Sequence, residues 1–264
     1  MLFTQSPGAW RRWLGCIALA GLPLLAAAQS QDPPDRVLYI SAQQGAARLS
    51  TDGAQWSAAG LNWPVVTGAQ LSTDPGAHLE LDGGNVVIRI AGPSDLGVTQ
   101  LNDQTTQLSL TDGSLSLRVR GLQPGERVEI DTPQLAVVAD QAGDYRIDVD
   151  PRSDSSRVSV LAGMATVYGE GGQVTNIGGP QMMAFAGRGL SVIARGGLPA
   201  RDGFDQWIVA RENQWRGSVS ARYVSPAMPG VGLLDQYGEW GQDPTYGAVW
   251  YPQVTAVDWA PYRY

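Results

Sequence analysis

Between Val128 and Val167 the chain reads VEIDTPQLAVVADQAGDYRIDVDPRSDSSRVSVLAGMATV, with apolar residues recurring at every second position within short runs. Val128 and Ile130 share one parity, as do Leu135 and Val137, then Tyr145, Ile147 and Val149, then Val158 and Val160. Successive residues of a strand point to opposite faces, so a period of two specifies strands with one face buried. The breaks between the runs carry matching chemistry. Thr132-Pro133 separates the first two runs, and proline cannot donate a ladder hydrogen bond. Gly143-Asp144 precedes the third run and Asp150-Pro151 follows it, both turn signals. Gly163 interrupts the last run, where a bend needs φ freedom. Ile130, Val137, Ile147, Val149, Val158 and Val160 are therefore expected in the core.

Further strands are expected at Val37–Ile40, Ala46–Leu49, Val86–Ile90, Leu96–Leu101, Thr106–Leu110 and Leu115–Val119, with turns at Thr51-Asp52-Gly53, Asp74-Pro75-Gly76 and Gly121–Gly125. Trp56 and Trp63 are expected to fill one end of the core, the alternative being an exposed binding platform. In His78-Leu79-Glu80-Leu81-Asp82 the leucines share one face, which leaves the sole histidine and both acids on the other. A solvated outer face explains that pattern; a His–carboxylate catalytic pair would also need a placed nucleophile. No G-x-S-x-G elbow occurs. Asp131-Thr132-Pro133 reads as a strand boundary, and Asp148, Asp150 and Asp154 as a solvated turn, because Arg152 sits among them and no EF-hand glycine is present. Gly196, Gly197 and Pro199 then mark a linker. Asp202 caps an expected helix whose Phe204, Trp207, Ile208, Arg211 and Trp215 recur at helical spacing, an apolar stripe that suits docking on a core.

The ordered motifs resemble the periplasmic FecR-type domain. The residues that carry the likeness are Asp131-Thr132-Pro133, Leu135 to Val138, Gly143, Tyr145 to Val149 and Val158 to Gly163, with Leu108 to Leu115, Thr67 to Leu71 and Gly83 to Val86 upstream. The tail beyond Phe204 holds more than half of the aromatic residues, and its Y-G dipeptides precede tryptophans. It resembles a bacterial family of unknown function that sets a FecR-like domain before a Trp/Tyr-rich tail. In that family further glycine and tryptophan motifs follow the W-x-P-Y-R segment, whereas this sequence stops at Tyr264, so a truncated tail is expected. The resemblance implies an all-β fold, an antiparallel β-sandwich or β-roll of the FecR type, followed by one short helix and an irregular aromatic-rich tail. FecR proteins pass a transport signal to a sigma factor through a cytoplasmic segment and a membrane span. Few residues precede Trp13 here, so that role is not expected to carry over.

The N-terminus reads as a secretory leader: Arg11-Arg12, an apolar run from Trp13 to Leu25, then Ala26-Ala27-Ala28. The run is short for a membrane span of about 20 residues. The alternative is an uncleaved anchor, and the paired arginines suit an ordinary leader as well as twin-arginine export. Four segments are expected: a signal peptide at residues 1–28, a FecR-like β domain at 29–200, a linker helix at 201–216 and the Trp/Tyr-rich tail at 217–264. No membrane span is expected after cleavage, and the setting is periplasmic or secreted.

Composition removes several chemistries. The formal charge of −7 does not suit nucleic acid or an anionic membrane surface. All 18 basic residues are arginine, so Schiff-base chemistry and a phosphate-loop lysine are excluded. The single cysteine, Cys16, lies in the leader, and one histidine cannot build a multi-His metal site. No catalytic residue, metal or cofactor is expected. The candidate binding residues are Tyr237, Trp240, Tyr246, Trp250, Tyr251 and Trp259. The prolines and glycines of the tail prevent a long helix, so short strands and turns are expected; because the truncated tail folds back incompletely, Trp250, Tyr251 and Trp259 are expected to form an exposed patch, the alternative being a fully docked tail with no ligand. The leading reading is an exported, non-catalytic binding or scaffold module of the cell envelope, with an envelope protein or glycan as partner and an undetermined oligomeric state. The alternative is a carboxylate-dependent glycosidase or polysaccharide-binding protein, which needs two carboxylates that no spacing singles out.

Overall fold

The computed structural model describes residues 36–225 and 227–253. Its strands are β1 (Leu38–Gln44), β2 (Ala47–Ser50), β3 (Ser57–Ala58), β4 (Pro64–Val65), β5 (Gln70–Thr73), β6 (His78–Asp82), β7 (Val86–Leu101), β8 (Thr105–Val119), β9 (Arg127–Asp131), β10 (Ala136–Ala139), β11 (Gly143–Asp150), β12 (Ser155–Ala162), β13 (Met164–Tyr168), β14 (Val174–Gly178), β15 (Gln181–Ala186) and β16 (Ser191–Gly196). Helix α1 (Gly203–Arg216), a 3₁₀ turn at Ser220–Arg222, helix α2 (Val231–Tyr237) and a hairpin of β17 (Gly238–Asp243) and β18 (Gly247–Pro252) follow.

Two strands organise the β domain. The separate runs Val86–Ile90 and Leu96–Leu101 are one strand, and so are Thr106–Leu110 and Leu115–Val119. Each bends midway, where the β7–β8 register shifts between Ala91 and Leu96. Gly113 makes the bend possible: its φ is +93°, and an added Cβ would lie 2.0 Å from Ser94 Oγ. Beyond the bend, Leu96 and Val98 of β7 pair with Leu110 and Leu108 of β8, and this half carries β5, β2 and β3 on one side and β9, β10, β13 and β14 on the other. Before the bend, Val86–Ala91 pairs with Ser114–Val119 and carries β6, β1 and β4 on one side and β11, β12, β15 and β16 on the other. One hydrogen-bonded sheet thus folds into two layers. The antiparallel sandwich has one parallel pair, β8 with β9, in register from Thr105↔Arg127 to Ser109↔Asp131.

The alternating residues meet between the layers. Leu71, Leu96, Leu108 and Ile130 from one layer and Leu81, Ile88, Leu117, Tyr145, Ile147, Val158 and Val160 from the other belong to a single buried cluster. Val137 and Val149 join it, so all six expected core positions are buried. Gly163 has φ +88°, and a Cβ there would meet the Tyr145 hydroxyl at 2.6 Å. That hydroxyl donates to the Gln141 carbonyl at 2.7 Å, so the glycine permits both the bend and the burial of the tyrosine.

Trp56 and Trp63 depart from expectation: they are 43% and 41% exposed and do not fill the core. They flank two-residue strands at the periphery, and the small Ala59 and Val65 enter the core there instead. Trp63 folds over Gly60, whose missing side chain leaves room for the indole. The region after α1 is also more ordered than an irregular tail. Gly230 at φ +78° starts α2, and the Asp243 carboxylate accepts from the Thr245 and Tyr246 amides to turn the hairpin. Trimming the fully buried Ile147 to alanine is expected to cost about 3 kcal/mol and to lower Tm by roughly 10 °C in a thermal melt.

Candidate functional site

The outer face of the second layer is covered, which corrects the expected solvated face at His78, Glu80 and Asp82. Outward positions form a rung of register partners: Glu80 on β6, Arg89 on β7, Ser116 on β8, Arg146 on β11 and Ser159 on β12. Helix α1 lies across that rung. Asp202 caps it in a reciprocal box with Asp205, each carboxylate accepting from the other residue's backbone amide, at 2.9 and 3.0 Å. Arg146 reaches up from the sheet to Asp202 Oδ2 at 2.7 Å and to Asp205 Oδ1 at 3.0 Å. His78 stacks on Phe204 and Trp207, with centroids 5.8 and 5.0 Å away. Among the described residues no hydrogen bond links it to Glu80, and burial pushes its imidazole below the usual range against the opposing pull of Asp202.

The charges beneath α1 form a chain of alternating sign. Glu80 accepts from Arg89 Nε at 2.6 Å, from Arg211 Nη2 at 2.7 Å and from Ser41 Oγ at 2.8 Å. Arg89 also donates to Glu212 Oε1 at 2.7 Å, and Arg118 lies 3.0 Å from Glu212 Oε2 and 3.1 Å from Asp144. Glu80, Arg89 and Glu212 are each at most 5% exposed. Burial alone would raise the Glu80 carboxyl, but the guanidinium groups of Arg89 and Arg211 override it and hold it at about 2. The Arg120 guanidinium lies 4.4 Å over the ring of Trp215 in the last turn of α1, and past the helix Asp82 accepts from the Gly84 and Gly230 amides. These contacts tie the segment after α1 to the β domain.

The hairpin gathers most of the expected binding residues. Trp240 and Trp250 are register partners across β17 and β18, and Glu239 faces Tyr251. Both tryptophans are anchored. Trp240 Nε1 donates to Ser220 Oγ at 2.8 Å and its ring stacks on Tyr223 at 4.5 Å, while Trp250 Nε1 donates to the Leu234 carbonyl at 3.2 Å. Ser220 is held in turn by Asp235. Tyr237, Tyr246 and Tyr251 are 50%, 80% and 46% exposed. Trp259 lies outside the described residues. The distinction between anchor and exposed ring follows from partners distant in sequence, so spacing alone could not supply it.

A carboxyl pair that sequence reasoning missed sits on β9. Glu129 and Asp131 share the outward face and both accept from Gln107 Nε2, at 3.3 and 2.8 Å. Burial and the neighbouring Glu129 raise the Asp131 carboxyl to about 6. The i, i+2 parity on a strand was the available signal. Asp131 also ends β9, and the Thr132 hydroxyl accepts from the Gln134 and Leu135 amides, a strand boundary as read. Asp148 accepts from Ser114 and Arg146, and Asp150 from the Arg152 amide and Ser153.

Residues 69–166 match the profile of the family described as FecR protein. This stretch is similar to a FecR-type domain. Residues 231–264 match a family of unknown function, DUF6600, so the FecR-type domain is followed by a second recognised segment that begins at α2. Two crystal structures of a candidate anti-sigma factor from Parabacteroides distasonis are similar at 15% and 14% identity, with TM-scores of 0.42 and 0.44. The matches cover 50% and 53% of this chain and 60% and 64% of theirs, less than two thirds of either solved chain. No curated protein matches. Among the described residues no helix is long and apolar enough to cross a membrane.

Two measurements check the electrostatics. The depressed Glu80 carboxyl contributes stability that is present above its ordinary value of 4.5 and lost as pH falls towards about 2. Glu80→Gln is expected to cost about 3 kcal/mol at pH 7 by leaving Arg211 without its carboxylate and Arg89 with Glu212 alone, and to speed hydrogen exchange across α1. The raised Asp131 carboxyl works in the opposite direction: its contribution is full below its ordinary 3.8 and lost as pH rises through about 6. Asp131→Asn should therefore raise Tm at pH 7.5 and leave it nearly unchanged at pH 3.5.

Proposed function

We propose that this chain is an exported, non-catalytic FecR-like module that acts as a binding or scaffold component of the cell envelope. The C-terminal hairpin is the face it offers to an envelope protein or glycan. One observation carries the reading: Trp240 and Trp250 are tied to Ser220 and Leu234, which leaves Tyr237, Tyr246 and Tyr251 outward on a braced support. Exposed tyrosines on a rigid element supply contact area at low conformational cost. The FecR-type match supports an envelope setting and a regulatory role, and the Arg11-Arg12, apolar, Ala26–Ala28 series supports export to the periplasm or beyond. The proposed segments are a signal peptide at 1–28, the β domain at 29–200, the helix at 201–216 and the aromatic segment at 217–264.

One observation favours the carboxylate-dependent alternative, the raised Asp131 beside Glu129. Polysaccharide hydrolysis by the pure protein, abolished by Asp131→Asn, would replace the non-catalytic reading.

The hairpin is tested by crosslinking in intact envelopes with the full chain as bait. Replacing Tyr237, Tyr246 and Tyr251 together by alanine is expected to remove the specific adduct and leave the melting curve unchanged, since these rings are outward. An undiminished adduct would remove the hairpin from the interface. Cell fractionation should find the chain outside the cytoplasm, with a mature N-terminus at or near Gln29.

A further inference from the structure

Helix α1 covers the outer face of one layer, but among the described residues the outer face of the other is open. There Gln70 on β5, Gly97 on β7 and Ser109 on β8 are register partners on one rung, with Asp95 and Thr111 alongside at outward positions. A Cβ at Gly97 would meet only Ser109, at 3.9 Å, and the residue has no positive φ. Neither packing nor backbone conformation requires glycine at that position. Its missing side chain instead opens the floor of a trough of about 640 Å³.

Trp56 stands at the wall of this trough, 43% exposed. The Arg48 guanidinium lies 5.9 Å from the ring centroid and braces the indole from the sheet. The floor is small and polar: Gln70, Asp95, Ser109 and Thr111 line it. Among the described residues no hydrogen bond or ion pair engages the Asp95 carboxylate.

These groups select a ligand chemistry. An exposed indole offers a flat apolar face, and a free carboxylate beside an amide and hydroxyls offers paired acceptors and donors. A pyranose ring has the complement, with C–H bonds on its faces and vicinal hydroxyls on its rim. An anionic polymer does not fit, because the carboxylate in the trough and the net charge of −7 oppose it. We propose that the trough binds a neutral oligosaccharide, with one ring stacked on Trp56 and its hydroxyls held by Asp95 and Gln70. The rung continues to Asp131, the register partner of Ser109, which extends the polar floor by one further strand.

Isothermal titration of the full chain with cellohexaose, maltohexaose and chitohexaose tests this. At least one is expected to bind at one site. Trp56→Ala is expected to weaken that binding at least about tenfold. Gly97→Val fills the trough without backbone strain and should do the same. Val192→Ala, an exposed position on β16 of the other layer, should leave it unchanged. Binding by none of the three sugars would overturn the proposal. So would binding that survives Trp56→Ala, a surface change that keeps the test valid if Gly97→Val perturbs folding.

Discussion

The ion pair between Glu80 and Arg89 is tenable in a dry position only because α1 brings Arg211 and Glu212 to it. Each charge alone would cost several kcal/mol to desolvate. As a chain, Glu80 has two guanidinium partners and Arg89 two carboxylate partners, so no charge in it is left alone. The sheet face and the helix face are therefore conditional on each other. The same contact explains why Val86 to Ile90 is buried on both faces, whereas the rest of β7 alternates.

The bend in β7 and β8 separates two kinds of surface on the same pair of strands. On one side of Gly113 the outward residues are Arg89, Ser116 and Arg118, and a helix covers them. On the other side they are Asp95, Gly97, Ser109 and Thr111, and they border an open trough. A covered charged face suits anchoring, and an open trough beside a tryptophan suits recognition. Among the described residues, exposed aromatic rings stand on different supports: Trp56 on the β domain, and three tyrosines on a segment held through Ser220, Leu234 and Asp82.

The core was legible because a strand's period of two is a local property. Val128, Ile130, Tyr145, Ile147 and Val158 declared their face by parity alone, and the breaks at Thr132-Pro133 and Gly163 by backbone chemistry. The same parity grouped His78, Glu80 and Asp82 on one face but could not say what covers it. Trp56 and Trp63 misled for a related reason. Size favours burial, but two-residue peripheral strands gave those rings no place in the core, and Ala59 and Val65 took it.

The sequence by itself determined which residues face inward, where strands break, that Asp202 caps α1, and that lysine chemistry is absent, because each depends on residue type or on neighbours a few positions away. Only the tertiary structure decided which outward faces are covered, which tryptophans are anchors, and that Gln70, Gly97, Ser109 and Asp131 share a rung. Those outcomes depend on register between strands and on contacts spanning many residues, such as Arg89 with Glu212, and no local pattern encodes the partner of a long-range pair.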